Sequence, residues 1–256
     1  MKELSVIIPA YNEEKRIRKT LNIYLPIFKK YYKNSFEVII ITDGCKDKTP
    51  DIVKKFSKKY KFIKHINYQN RLGKGGAIIE GFKVASGKIV GFLDADGSTS
   101  PKSIISLIKY LNKYDGVIAS RWIKKSKVVK KQSLSRRIAS RIFNFLVRFL
   151  FGFNFKDTQC GAKFFRKKAI EDILPEIGLT DWAFDIDLLY RFSKRNYKIK
   201  EVPITWRYKE GSKLKLSKTS VKMLLSVLGL RVKCSKFSFI AKSPIVIWIY
   251  KIVKNL

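Results

Sequence analysis

Short apolar runs alternate with longer amphipathic stretches through the first half of the chain. The runs are nearly continuous in apolar character, as in residues 4–8 (LSVII) and 36–41 (FEVIII). Such runs are typical of strands buried on both faces, whereas apolar spacings of three and four indicate helices. We predict strands at residues 4–8, 36–41, 62–66, 88–93 and 116–119, and helices at residues 13–32, 47–60, 75–85 and 101–111. This order predicts an α/β fold with a mostly parallel sheet and helices on both faces.

The second half carries apolar helical stretches with basic residues among them. In residues 134–151 (LSRRIASRIFNFLVRFLF) the arginines Arg137, Arg141 and Arg148 share one helical face. Such a helix is either buried or lies in a membrane interface. Residues 221–230 and 244–253 predict two further short helices, too short to span a bilayer but suited to interfacial attachment, with Trp248 and Tyr250 at headgroup level. The alternative is a C-terminal helix packed on the core.

Acidic residues follow three of the predicted strands. In parallel sheets ligands bind at the carboxyl ends of the strands, and here the loops 9–14, 42–46 and 94–98 each carry a carboxylate. Asp94 and Asp96 lie two apart after a buried strand, so their side chains share one side of an extended segment. Paired carboxylates hold hard cations such as Mg²⁺ or Mn²⁺. Capping of the following helix accounts for one of these acids, but not for Asp94 and Asp96 together.

The charge balance indicates an anionic partner. The 256 residues include 55 Lys and Arg against 20 Asp and Glu, a net charge of +35. Nucleic acid, an acidic membrane surface and a phosphorylated substrate all fit, and a lysine-rich proteome explains part of the excess. The three cysteines are far apart and His65 is the only histidine, so we predict no disulfide framework, zinc site or histidine-based triad. We expect no signal peptide and a reducing, cytoplasmic environment.

Seven motifs occur in an order that resembles the family 2 glycosyltransferases of the GT-A fold. The motifs are VIIPAYNEE (6–14), TDGCKDKT (42–49), NRLGKGGA (70–77), FLDADGST (92–99), DTQCGAKFF (157–165), WAFDIDLLY (182–190) and EGSKL (210–214). Within that family they are more similar to the dolichyl-phosphate β-glucosyltransferases than to the related mannosyltransferases. The resemblance covers residues 1–216, including the 134–151 helix, and leaves 217–256 as membrane-associating helices.

The resemblance implies roles for residues on the donor side. The nucleotide-sugar would contact Pro9, Ala10, Tyr11, Glu13, Asp43, Lys74, Asp94, Asp157, Gln159 and Asp185. Asp94 would hold nucleotide or metal and Asp96 the divalent cation, Mg²⁺ or Mn²⁺. Mannosyl members often carry Gln where Ser98 stands, which puts a third protein ligand in doubt. Asp181 and Asp185 have an alternative role as caps of the following helix.

On the acceptor side the resemblance implies a cluster of cations for a lipid phosphate. Its members are Arg121, Arg136, Ser140, Arg207 and Lys213, with Arg137 competing for the place of Arg136. Arginine suits this role because its guanidinium binds phosphate oxygens in pairs. We expect Asp94, Asp96, Arg121 and Arg207 to carry catalysis. The acceptor is already an anion, so the expected inverting displacement needs little or no general base.

The expected activity is transfer of glucose from UDP-glucose to a dolichyl or other polyprenyl phosphate at the cytoplasmic face of a membrane. The nearest alternative is a mannosyl or N-acetylhexosaminyl transferase to the same lipid. A polysaccharide synthase fits less well, because the chain lacks several spanning helices. A nucleic-acid-binding module has only the charge in its favour, so we expect no specific nucleic acid partner. The intact DAD sequence argues against a non-catalytic scaffold. The sequence predicts no oligomeric state.

Overall fold

A central sheet of seven strands organises the chain. The computed structural model describes residues 2–130, 133–178, 183–209 and 216–235. Its strands are β1 Leu4–Ala10, β2 Phe36–Asp43, β3 Ile63–Tyr68, β4 Ile89–Phe92, β5 Gly116–Ser120, β6 Lys127–Lys130, β7 Lys163–Arg166, β8 Ile199–Pro203 and β9 Thr205–Arg207. The large sheet has the order β3-β2-β1-β4-β7-β5-β8, in which only β7 runs antiparallel to its neighbours. Strands β6 and β9 form a small parallel pair of their own.

Helices cover both faces of the sheet. They are α1 Ile17–Tyr32, α2 Thr49–Lys59, α3 Gly73–Val84, α4 Pro101–Lys109, α5 Leu134–Phe151, α6 Lys167–Ile173, α7 Phe184–Lys194 and α8 Leu216–Lys233. In β1, Val6 and Ile8 pack into one core with α1, α2 and α4, whereas Ile7 packs into the other with α3, α6 and α7. This alternation explains the nearly continuous apolar run of β1, because both of its faces are buried.

The predicted strands and helices of the first half are present, with shifted ends. The first helix begins at Ile17 rather than at residue 13, because Glu13 and Arg16 form a turn in which the Arg16 amide donates to the Glu13 carbonyl. The second begins at Thr49 rather than at residue 47, where Asp47 accepts from the Thr49 amide. The third begins earlier, at Gly73.

Five elements of the second half lie outside the sequence predictions: β6, β7, α6, β8 and β9. They are three to seven residues long, too short to show a clear periodicity. The helix predicted at 221–230 lies inside the longer α8. The helix predicted at 244–253, with Trp248 and Tyr250, lies outside the described residues, as do Asp181, Lys213 and the whole EGSKL segment.

A buried carboxylate joins β1 and β2 to the turn that precedes β4. Glu37 accepts hydrogen bonds from the hydroxyls of Ser5 and Ser86, each at 2.7 Å between oxygens, and pairs with Lys64 at 2.7 Å. Burial alone would raise the pKa of Glu37, but the hydrogen bonds from Lys64, Ser5 and Ser86 lower it to about 2. The carboxylate therefore stays ionised and holds adjacent parallel strands in register.

A third apolar cluster joins α5, α7 and α8. Val147 of α5 packs with Leu189 of α7 and with Val227 and Leu230 of α8, all of them buried. The opposite side of α5 carries large apolar side chains that are exposed: Leu134, Ile138, Ile142, Phe145 and Phe149. Helix α5 is thus buried along one side and exposes an apolar surface on the other.

Within the described ranges we find no helix both long and apolar enough to cross a bilayer.

Candidate active site

The acidic pair lies at the carboxyl end of β4, in the middle of the sheet. Strand β4 ends at Phe92, and Asp94 and Asp96 follow within four residues. Gly161 lies directly against Asp94: a Cβ placed on this glycine would be 1.8 Å from Asp94 Oδ2. The segment that leads into β7 therefore forms one wall of the Asp94 position, and only a glycine leaves room for the carboxylate there.

Alternating charges connect Asp94 to the interior. Lys74 Nζ, at the start of α3, lies 3.0 Å from Asp94 Oδ1 and 3.8 Å from Asp185 Oδ2. Asp185 in turn pairs with Lys163 of β7, whose ammonium also donates to the Cys160 carbonyl at 2.7 Å. Burial alone would raise the pKa of Asp94, but the adjacent Lys74 ammonium holds it below its ordinary value. The pKa of Lys74 is raised, because its two carboxylate neighbours outweigh burial.

Asp96 has a different environment. Its Oδ1 accepts from the Ser98 amide at 2.9 Å, and burial together with the charge of Asp94 raises its pKa. The loop between the two acids is fixed from α1, where Thr20 donates to the Ala95 carbonyl at 2.8 Å. Gly97 adopts φ +67°, a left-handed conformation that suits glycine.

Asp94 and Asp96 fit a divalent cation. Each carboxylate raises the cost of ionising the other, and a bound cation would remove that cost while accepting hard oxygen ligands. Among the residues that the structure describes, no third Asp, Glu, His or Cys converges with them. A cation held here would therefore take its remaining ligands from water or from a bound diphosphate.

The nucleotide-side loops are held together by hydrogen bonds. Asp43, at the end of β2, accepts from the amides of Leu72 and Gly73 at the start of α3, at 2.6 and 3.1 Å. The guanidinium of Arg71 lies over the Tyr11 ring, 3.6 Å from its centroid. Tyr11 is the first residue of the loop after β1, and Pro9 and Ala10 are the last two residues of that strand. The predicted contacts of the nucleotide thus come from neighbouring loops at one sheet edge.

Glu13 makes a salt bridge with Arg16, at 2.6 Å between Oε1 and Nη2. Burial alone would lower the pKa of Arg16, but Glu13, Asp96 and Asp94 together raise it. Arg16 is therefore part of the electrostatic surroundings of the acidic pair. Neither Arg16 nor Arg71 was among the predicted site residues, because each is one of many basic residues and carries no distinguishing spacing.

Arg121 and Asp157 form a buried pair beside the site. Arg121 Nε and Nη2 donate to the two carboxylate oxygens at 2.7 and 2.8 Å, and the Arg121 amide adds a third bond at 2.9 Å. Burial would raise the pKa of Asp157, but Arg121 lowers it. The structure thus places the predicted acceptor-phosphate arginine on the aspartate predicted to shape the sugar pocket. Glu201 of β8 accepts from the Asp157 amide at 2.8 Å and fixes the loop.

Aromatic rings and a second arginine surround this pair. The Arg121 guanidinium lies 5.4 Å from the ring centroids of both Trp122 and Trp206. Arg141 of α5 lies over Trp122 at 5.1 Å. The buried Trp122 Nε1 and Gln159 Nε2 atoms have no hydrogen-bond partner in the described part of the chain. Trp122, Trp206 and Arg141 were missed by sequence reasoning, since their contact joins three distant segments.

The other predicted acceptor residues are spread more widely. Arg136 donates to the Tyr208 hydroxyl at 3.1 Å, and the Ser140 carbonyl accepts from Asn144 within α5. Arg207 is exposed on β9, where its amide donates to the Ser98 carbonyl at 2.9 Å. Strand β9 therefore runs beside the loop of the acidic pair, and Arg136 joins α5 to the end of the same strand.

The fold and the site define a class of protein. A mostly parallel sheet with an acidic pair after a central strand, and nucleotide-side loops beside it, is the architecture of the GT-A glycosyltransferases. The Glycosyl transferase family 2 model matches residues 5–174, and the chain belongs to that family.

Curated relatives and solved structures match most of the chain. The dolichyl-phosphate beta-glucosyltransferase of Dictyostelium discoideum is 34% identical over 242 residues, covering 90% of this chain and 74% of that protein. Glycosyltransferase AglD of Haloferax volcanii is 31% identical over 84% of this chain, which spans only 34% of that protein's length. Glucosyl-3-phosphoglycerate synthase from Mycobacterium tuberculosis, solved with Mn²⁺, UDP and glucosyl-3-phosphoglycerate, has a TM-score of 0.64 at 18% identity, covering 90% of this chain and 80% of that one.

Proposed function

We propose that this glycosyltransferase transfers glucose from UDP-glucose to dolichyl phosphate, or to a similar polyprenyl phosphate, with inversion at the anomeric carbon. The observation that carries the proposal is the acidic pair Asp94 and Asp96 at the carboxyl edge of the sheet, with Lys74 3.0 Å from Asp94 and the charge of Arg16 acting on Asp96. The choice of glucose and of a dolichyl acceptor is supported by the relatives that carry this activity in their names.

On the donor side, Asp94 and Asp96 would hold a divalent cation, Mg²⁺ or Mn²⁺. That cation, when bound, neutralises charge on the diphosphate as it leaves. Tyr11 offers a ring face for the base, and Asp43 holds the start of α3, where Lys74 lies near the expected diphosphate. Gln159 and Asp185 would line the sugar side, as would Asp157 through its loop.

On the acceptor side, the chain's cations would place the lipid phosphate in line with the anomeric carbon. A phosphate oxygen forms the new bond to that carbon as the bond to the donor diphosphate breaks, and UDP leaves. No proton has to be removed, because the attacking oxygen is already anionic. Arg121 is held rigidly by Asp157, so it supplies a positive field at a fixed position. Arg136, Ser140, Arg207 and Lys213 are the further proposed contacts of the phosphate.

A donor panel tests the activity. Purified protein would be incubated with a polyprenyl phosphate, Mn²⁺ and radiolabelled UDP-glucose, GDP-mannose or UDP-N-acetylglucosamine, and the product extracted into organic solvent. We expect label from UDP-glucose to enter the lipid phase. Asp96→Ala should abolish transfer with the fold intact, whereas Asp51→Ala, which removes an exposed acid in the first turn of α2, should leave it unchanged. If only GDP-mannose labels the lipid, the transferred sugar is mannose and not glucose. If Asp96→Ala is active, Asp96 does not hold an essential metal ion.

We further propose that the exposed apolar side of α5 lies on the cytoplasmic surface of a membrane. Phe145 and Phe149 are 68% and 78% exposed, and Arg141 and Arg148 are exposed residues of the same helix. Apolar rings beside cations suit the headgroup region of an anionic bilayer. The predicted membrane-associating segment, 217–256, begins within α8, which packs on α5 through Val227.

Vesicle flotation tests this orientation. We expect the protein to float with vesicles containing phosphatidylserine, and Phe145→Ser with Phe149→Ser to reduce the bound fraction. Tyr31→Ser, at a 51% exposed ring of α1, is the matched control. The orientation is wrong if the double variant floats as well as the control.

A further inference from the structure

Four charged side chains alternate in sign from the interior to the site surface. Lys163 is fully buried, Asp185 is 4% exposed, Lys74 is 22% exposed and Asp94 is 38% exposed. Each side chain contacts the next. The N···O distance is 2.5 Å between Lys163 and Asp185, 3.8 Å between Asp185 and Lys74, and 3.0 Å between Lys74 and Asp94. The four charges sum to zero, so Asp94 already has its counterion before any cation binds.

We propose that Lys74 is a temporary counterion that occupies Asp94 in the donor-free enzyme and transfers to the donor's diphosphate when the nucleotide-sugar binds. This inference rests on the proposed function, since it takes Asp94 and Asp96 as the cation site. In this proposal Lys74 contacts the donor and also regulates cation binding, because the site binds a divalent ion well only after the donor has bound.

The two lysines of the row differ in freedom of movement. Lys163 is enclosed, is bound by Asp185 and donates to the Cys160 carbonyl at 2.7 Å. Lys74 is partly exposed, and its contact with Asp185 is the longer of its two ion pairs. Lys163 and Asp185 are therefore the immobile members of this row of four charges. Asp185 keeps Lys74 within reach of the site when Lys74 leaves Asp94.

Asp94 has little room on the side of Gly161. A methyl group on that glycine would overlap Asp94 Oδ2, so the backbone there lies directly against the carboxylate that Lys74 contacts. An ammonium at 3.0 Å and a divalent cation cannot both contact the same carboxylate without strong repulsion. A diphosphate removes the conflict, because it gives the Lys74 ammonium an anionic partner of its own.

The consequence is that the free enzyme binds a divalent cation weakly and the donor-bound enzyme binds it well. Removing the Lys74 charge should therefore strengthen cation binding by the free enzyme and weaken cation binding by the donor-bound enzyme. Lys83 provides a matched control: it lies on the same helix, is 54% exposed and pairs with Glu80, so Lys83→Met removes the same charge away from the site.

The experiment is a Mn²⁺ titration of full-length protein, with unbound Mn²⁺ measured by electron paramagnetic resonance, first without nucleotide and then with UDP. Without UDP, we expect Lys74→Met to bind Mn²⁺ at least about tenfold more tightly than the native protein, and Lys83→Met to match the native protein. With UDP, Lys74→Met should bind Mn²⁺ more weakly than either. Unchanged or weaker Mn²⁺ binding by Lys74→Met without UDP would overturn the inference.

Lys74→Gln repeats the measurement with a polar side chain if circular dichroism shows that Lys74→Met is unfolded. Asp96→Ala separates this inference from the proposed function. If Asp96→Ala still binds Mn²⁺ with UDP as the native protein does, the cation site itself is wrong. If Asp96→Ala loses that binding while Lys74→Met and Lys74→Gln behave as native without UDP, only the role of Lys74 is wrong.

Discussion

Gly161→Ala moves one carboxylate without changing any charge. Gly161 does not adopt a left-handed backbone conformation, so alanine is sterically acceptable to the main chain itself. Its new Cβ would lie 1.8 Å from Asp94 Oδ2 and 2.1 Å from Asp94 Cγ, where ordinary contact begins at 3.4 Å. Asp94 must therefore retreat by roughly 1.6 Å, or the Gly161 segment must move by as much.

The displacement should be costly for catalysis and modest for stability. A misplacement of about 1 Å in a reacting group can lower a rate by roughly a hundredfold, so we expect at least that loss of glucosyl transfer. Overpacking of this kind costs about 1–3 kcal/mol of folding free energy. Asp94 is partly exposed and can yield toward solvent, so we expect the lower end of that range and a fall in Tm of a few degrees.

The assay combines initial rates of transfer with Mn²⁺ binding in the presence of UDP and with thermal melting. Gly229→Ala is the control, because this glycine of α8 has nothing within 4 Å of an added Cβ. We expect the control to be fully active and slightly more stable, since alanine favours a helix. A folded Gly161→Ala enzyme that transfers glucose within twofold of the native rate would refute the reasoning, because it would show that the position of Asp94 is unimportant.

Three further predictions follow from buried and exposed groups. Arg121→Ala should lower the free energy of unfolding in urea by about 3–5 kcal/mol, because the buried Asp157 carboxylate loses its counterion and keeps only the backbone amide of residue 121. A loss below about 1 kcal/mol would contradict this. The pKa of Glu37 is lowered to about 2 in the folded protein, so its ionised form stabilises the fold above the unfolded pKa, and this stability is lost as the pH falls from about 4.5 to 2. In urea titrations from about pH 6 to 2, Glu37→Gln should lack this part of the acid dependence. Phe149→Ser should leave Tm within about a degree, since the ring is 78% exposed, and a larger fall would show that the ring is packed in solution.

The sequence predicted the parallel half of the fold well. The apolar runs at β1 and β2 are the signal, since each strand is buried on both faces and no polar alternation confuses its pattern. It did not predict β7, whose four residues run antiparallel between β4 and β5. A local pattern cannot reveal such a strand, because its pairing with β5 joins residues 45 to 49 positions apart.

The candidate site shows the same division. Lys74 lies 3.0 Å from Asp94, and Asp96 follows in the same loop, because their motifs begin or follow regular elements that meet at this edge of the sheet. Their roles in binding stay predictions. Lys163 was missed. In a chain with 55 basic residues, nothing local marks one lysine inside an apolar strand as the partner of a distant aspartate. The signal available in the sequence is its apolar neighbours, Ala162 before it and two phenylalanines after it. A lysine buried with such a strand needs a partner, and here the ammonium donates to Asp185 and to the Cys160 carbonyl.

The buried acids explain how so basic a chain maintains an acidic site. A positive excess stabilises any exposed carboxylate at low ionic strength, but salt screens that effect. The carboxylates at the sheet edge instead have individual partners: Asp157 with Arg121, Asp185 with Lys163 and Lys74, and Asp43 with two backbone amides. Buried ion pairs of this kind contribute little net stability, since desolvation offsets their attraction. What they provide here is position, because each pair joins separate segments of the chain beside Asp94, which is more exposed than Asp185 and shares Lys74 with it.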